Sequence, residues 1–148
     1  MIQQAARLAS SICMLIDDGT EGLSEKVIGV GIDVHRTFGP GLLENAYHLP
    51  MLWALEKRGY KVEFERPLSV EYEGKVVPRA YIIDLVVENK LLIEIKSVAR
   101  LEAIHFAQVR TYLSLSGIQV GLLMNFNAPI LRHGIKRVFH PDFPRQQT

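Results

Sequence analysis

An α/β domain built on a mixed sheet is what this sequence predicts, and three observations predict it. Two apolar runs, Tyr81–Val87 and Leu91–Ile95, are rich in Ile, Leu and Val in the manner of strands covered on both faces. Amphipathic segments of helical length precede and follow them, and short extended pieces bounded by Gly and Pro lie between. With 148 residues, 48% of them hydrophobic, the chain has enough apolar material for one domain with a substantial core.

Residues 1–22 read as an N-terminal appendage, a short helical stretch followed by the turn-like Asp17-Asp18-Gly19-Thr20-Glu21-Gly22. Its apolar part, Ala5–Ile16, is too short to span a bilayer and has no convincing cleavage site. The domain proper is expected over residues 23–140. Ser24 is the candidate N-cap of a first helix in which Val27, Ile28, Ile32 and Val34 form an apolar set up to Phe38. Gly39-Pro40-Gly41 ends it. A second helix is expected from Leu42 to Arg58, closed by Gly59, with Pro50 expected to kink or divide it because the ring removes the bond to the Ala46 carbonyl. Strands are expected at Val62–Glu65, at Leu68–Tyr72 before a Glu73-Gly74 turn, near Val76, and then at the two apolar runs. A helix over Leu101–Ser116 stops at Gly117, Val120–Asn125 is a further strand, and Ile135–Phe139 is an edge strand. Residues 141–148 read as a frayed tail.

Charge limits the function classes. A formal net charge of +1 provides no global attraction to nucleic acid or membrane, so any polyanion contact must come from a local patch and a metal. The single cysteine, Cys13, excludes an internal disulfide and a cysteine-based zinc site and favours a reducing compartment, so a cytoplasmic location is expected. Gly29-Val30-Gly31 lacks the third glycine and the preceding strand of a dinucleotide loop. The cations Arg132, His133, Lys136, Arg137 and His140 read as charge guarding an exposed sheet edge.

The chemistry lies in the apolar strands. Asp84, Glu94 and Lys96 are set into segments where an uncompensated charge costs several kcal/mol, roughly. Glu88-Asn89-Lys90 reads as a tight turn, which makes the two runs a hairpin; a three-residue loop puts Asp84 directly opposite Glu94, a two-residue loop displaces it by one step. Side chains alternate along a strand, so Glu94 and Lys96 share a face. A metal ion is the simplest compensator of two converging carboxylates, and oxygen-only ligands suit a hard cation, Mg²⁺ or Mn²⁺. The competing reading is an ion-pair network with no ligand.

Asp84 followed at distance by Glu94-Ile95-Lys96 resembles the signature of the PD-(D/E)xK superfamily, whose fold is restriction-endonuclease-like. Gly41-Leu42-Leu43-Glu44-Asn45-Ala46-Tyr47 matches the motif of its GxxExxY family. Gln108-Val109-Arg110-Thr111-Tyr112 resembles the QxxxY helix of RecB-type nucleases, and Leu122–Asn127 and Gly134–Arg137 look like the family's closing segments. The resemblance runs from about Leu23 to Phe139. The superfamily's proline before the first acid is absent, since Ile83 stands there.

The resemblance implies a central mixed sheet flanked by helices and a divalent-metal-dependent nuclease, most readily of DNA, working through metal-activated water. Asp84 and Glu94 would be metal ligands with the Ile95 backbone carbonyl as a third oxygen, and Glu44 would complete the shell, directly or through water. Lys96 would orient the attacking water or stabilise developing charge. Gln108, Tyr112, Tyr47 and His105 would position substrate or hold the catalytic groups. Nucleic acid is the expected partner, with a homodimer or a second protein as further candidates and no membrane. The rival expectation is a catalytically silent module that grips nucleic acid or a protein.

Overall fold

The computed structural model describes residues 2, 3 and 19–144. Most of the expected appendage and the last residues of the tail lie outside the described residues. The first helix, α1, is Thr20–Phe38. It starts four residues before Ser24, which is buried within it instead of capping it. Its start is set at Gly19, which has a φ of 84° and accepts the Leu23 N–H at 2.9 Å, and the apolar face already begins at Leu23. Helix α2, Asn45–Lys57, is shorter than expected at its N-terminus and runs undivided through Pro50. Helix α3 spans Ala103–Ser116 and ends at Gly117, whose φ of 75° is the left-handed stop the sequence indicates.

Five strands follow the order β1-β2-β3-β4-β5 across one sheet: β1 Val62–Tyr72, β2 Lys75–Val87, β3 Leu91–Lys96, β4 Val120–Asn125 and β5 Ile135–Phe139. All neighbours are antiparallel except β3 and β4, which run parallel because α3 carries the chain back across the sheet. The sheet is therefore mixed and flanked by helices, as the sequence predicts. The short pieces expected before Tyr81 are instead one long hairpin. Pro67 and Pro78 both fall inside it, Pro67 on an edge strand and Pro78 where the register shifts between Leu68 and Val70, places that tolerate a missing N–H.

Two cores cover the two faces. Helices α1 and α2 pack Val27, Val34, Tyr47, Met51 and Leu55 on Leu85, Ile93, Ile95 and Leu122. Helix α3 packs Val109, Tyr112 and Leu113 on Ile83, Val86, Leu92 and Leu123. Gly121 permits that approach, since a β-carbon there would lie 2.9 Å from Val109 Cγ1. No helix among the described residues is long and apolar enough to cross a membrane.

Candidate active site

The turn between β2 and β3 is of the three-residue kind. Val87 pairs with Leu91, Glu88 and Asn89 both take φ near 53°, and the register continues through Val86–Leu92 to Leu85–Ile93. The next step places Asp84 opposite Glu94. There the ladder stops, and the Asp84 carboxylate takes the place of a backbone acceptor: its Oδ2 receives the Ile95 N–H at 2.7 Å. Pairing of the two strands ends at Leu85–Ile93, and the unpaired stretch just beyond it, the notch, is where both acids lie.

Glu94 is 3% exposed and Asp84 9%. Lys96 Nζ stands 3.1 Å from Glu94 Oε1 and 3.9 Å from Glu44 Oε1, so Glu44, just before α2, faces the same notch. Glu94 Oε2 is buried with no hydrogen-bond partner. Desolvation pushes the Glu94 carboxyl up to about 8, with the Asp84 charge adding to it and Lys96 opposing it. Desolvation also raises Asp84, against the lowering effects of His48 and the Ile95 N–H. Two buried acids that resist ionisation, with one oxygen unsatisfied, are short of positive charge.

His48 is a site residue the sequence analysis missed. It is buried, and its Nε2 lies 3.5 Å from Asp84 Oδ2. That nitrogen forms no hydrogen bond, and its nearness lowers the Asp84 carboxyl without directed bonding. Spacing of four from Glu44 puts it on the same face of α2, which is the signal that would have found it.

From the opposite layer, Gln108 Nε2 donates to the Tyr112 hydroxyl at 2.6 Å. Burial, then the Glu94 charge, pushes the Tyr112 phenol up to about 12, so this pair borders the carboxylates. Tyr81 packs edge-on against the Tyr112 ring at 5.6 Å. The other two motif residues are engaged elsewhere. Tyr47 donates to the Gly39 carbonyl at 2.6 Å and accepts the Leu42 N–H at 3.2 Å, closing the loop ahead of Glu44. His105 accepts the Glu102 N–H at 2.9 Å on Nδ1 and caps α3.

Asn125 is a residue whose role is visible only in three dimensions. It is buried at the end of β4, accepts the N–H groups of Val98 and Asn127, and donates to the Val98 carbonyl. Ser97 Oγ donates to the Leu42 carbonyl at 2.7 Å, tying the same segment to the loop before α2. Together they fix the chain that leaves Lys96. Asn125→Ala is expected to lower stability by roughly 2–4 kcal/mol, because several backbone groups lose partners at once; urea denaturation measures it.

Among the described residues no group of three or more His, Cys, Asp or Glu side chains is arranged to hold a metal ion by itself. The donor chemistry nevertheless fits a hard cation. Two carboxylates converge, one oxygen is unpartnered, and Mg²⁺ takes one or two protein carboxylates and fills the rest of its shell from water or phosphate.

A family model described as the PD-(D/E)XK nuclease superfamily matches residues 21–138. Among curated proteins no relative matches. A solved structure described as the crystal structure of SSO0001 is 26% identical, with a TM-score of 0.53, over 67% of this chain and 51% of that one. The chain thus spans about half the length of that structure. Among the described residues, a five-stranded mixed sheet flanked by three helices makes this a restriction-endonuclease-like fold.

Proposed function

This chain belongs to the PD-(D/E)XK nuclease superfamily, and from that premise we propose that it hydrolyses phosphodiester bonds, in DNA, with Mg²⁺ or Mn²⁺ held by Asp84 and Glu94. The observation that carries this reading is the unpartnered, buried Glu94 Oε2 beside a second buried acid. A structural ion pair has no use for an oxygen that nothing satisfies. The Gly41–Tyr47 motif supports assignment to the GxxExxY branch.

Asp84 and Glu94 would hold the cation. In an extended strand the N–H and C=O of one residue point to the same neighbour, so the Ile95 N–H on Asp84 argues that its carbonyl also faces the notch as a third oxygen. When bound, the cation makes water acidic enough to attack at neutral pH and offsets charge on the phosphate. Lys96, held between Glu94 and Glu44, orients the nucleophile and stabilises the negative charge that develops. Glu44 restrains Lys96 and would be the carboxylate to meet the cation through water. Gln108 and Tyr112 offer neutral hydrogen-bonding groups at the edge of the notch, suited to a phosphate backbone that a nearby carboxylate would repel.

The Lys96–Glu94 contact favours a second reading, a catalytically silent module, because it already gives one Glu94 oxygen a partner. Purified protein tested on labelled DNA and RNA, linear and branched, with Mg²⁺, Mn²⁺ or EDTA separates the two. Cation-dependent cutting of DNA is expected. Binding with no cutting of any substrate by folded protein would overturn the nuclease reading in favour of the module.

A further inference from the structure

Strands β1 and β2 change face together at the position of Asp84. Inside the sheet Val62 and Phe64 on β1, and Leu85 and Val87 on β2, pack on the α1–α2 side. Regular alternation would keep Ile83 on that side as well, and Leu68 with it. Both pack instead on the α3 side, and Tyr81 lies against Tyr112 there. The register across the change is intact, with Phe64 opposite Leu85 and Arg66 opposite Ile83. The reversal is therefore confined to one residue on each strand, Glu65 and Asp84.

Glu65 has a φ of 54°, a left-handed conformation that non-glycine residues rarely adopt and that side chains other than Gly, Asn and Asp resist. It is exposed, and the β1–β2 pairing skips it. A residue between two neighbours that face opposite sides directs its own side chain along the sheet. Asp84 is oriented in that way: its carboxylate reaches sideways to the Ile95 N–H of the next strand.

We propose that Glu65 is a positioning residue, whose left-handed backbone reverses the β1–β2 ribbon and so turns the Asp84 carboxylate out of the core face into the notch between β2 and β3. Its importance for catalysis rests on the nuclease reading above; its effect on Asp84 does not. With regular pleating at Glu65, Asp84 would face the α3 core beside Val86, and the Ile95 N–H would lose its partner.

The test replaces Glu65 with Gly, Asn, Ala and Val in the full chain and follows the Ile95 amide by NMR without cation or substrate. In the parent, the Asp84→Asn variant identifies the resonance shift due to the carboxylate. Gly and Asn, which accept the left-handed region, are expected to keep the Ile95 shift and its protection from exchange. Ala and then Val are expected to lose them progressively, with exchange at Ile95 at least tenfold faster, and Ala keeps the test valid if Val does not fold. Cation-dependent cleavage should follow the same order where the nuclease reading holds. An Ile95 amide unchanged in a folded Ala or Val variant would overturn the positioning role, whatever the protein cleaves.

Discussion

Lys96→Ala is expected to keep divalent-cation binding and to lose cleavage by a factor of about 10² to 10³ or more, the scale on which removing one aligned charge-stabilising group acts. Its ammonium lies 3.1 Å from Glu94 Oε1 and 3.9 Å from Glu44 Oε1, beside the carboxylates but not among the cation's donors. Removing it leaves both acids in place and makes the notch more negative, which strengthens attraction for a cation. Asp84→Asn should differ in kind. The amide can still meet the Ile95 N–H through its oxygen, but a charged ligand is gone, so binding and cleavage fall together. Single-turnover cleavage at saturating Mn²⁺, with cation affinity measured separately, distinguishes the two variants. Equal loss of cation binding in both would remove Lys96 from the chemistry and make it a structural partner of Glu94.

Glu94→Gln is expected to stabilise the cation-free protein while abolishing its activity. The carboxyl is pushed up to about 8 from 4.5, by burial first and then by the Asp84 charge. The sign follows from which state holds the proton. Below about pH 4.5 the group is neutral in both folded and unfolded chains, and Gln brings no gain. Between pH 4.5 and 8 the unfolded chain releases the proton while the folded chain retains it, so the parent loses stability as pH rises. Above pH 8 the folded chain carries the buried charge and the full cost. In EDTA the variant should therefore melt at the same temperature as the parent in acid and roughly 2–8 °C higher at pH 8.5, given about 2–4 °C per kcal/mol at this size. Lys96 retains Glu44 as a partner in the variant, which limits the offsetting loss. Melting curves at both pH values with EDTA are the check. A lower melting temperature at pH 8.5 would mean that the Lys96 ion pair outweighs desolvation. A stabilising loss-of-function change at this position is the mark of a group retained for chemistry.

The parts of this site that were legible in the sequence are those where charge interrupts apolar strand. Asp84 and Glu94 stand out because nothing in a two-sided strand tolerates them, and Glu88-Asn89-Lys90 has the composition of a turn that sets them opposite each other. Gly117 and the Val120–Asn125 run gave the end of α3 and the limits of β4 for equally local reasons. The outer hairpin is longer than the separate short strands expected, because the edge position and register shift that accommodate Pro67 and Pro78 are properties of the whole sheet. His48 carries only the weak signal of its spacing from Glu44, and Asn125 is an ordinary polar residue by type whose burial against Val98 gives it a role. The reversal at Glu65 was beyond sequence reading altogether, since glutamate gives no sign of a positive φ.

On the nuclease reading, the buried acids of the β2–β3 notch exist to bind a divalent cation. Titration of the full chain with Mn²⁺, followed by the loss of the free-ion EPR signal, tests it most directly, with Asp84→Asn and Glu94→Gln measured alongside. Saturable binding to the parent, strongly weakened in both variants, is the expected result. Binding that is absent from the parent, or present and unchanged in the variants, would contradict cation binding at these acids and leave Asp84, Glu94 and Lys96 as an ion-pair network.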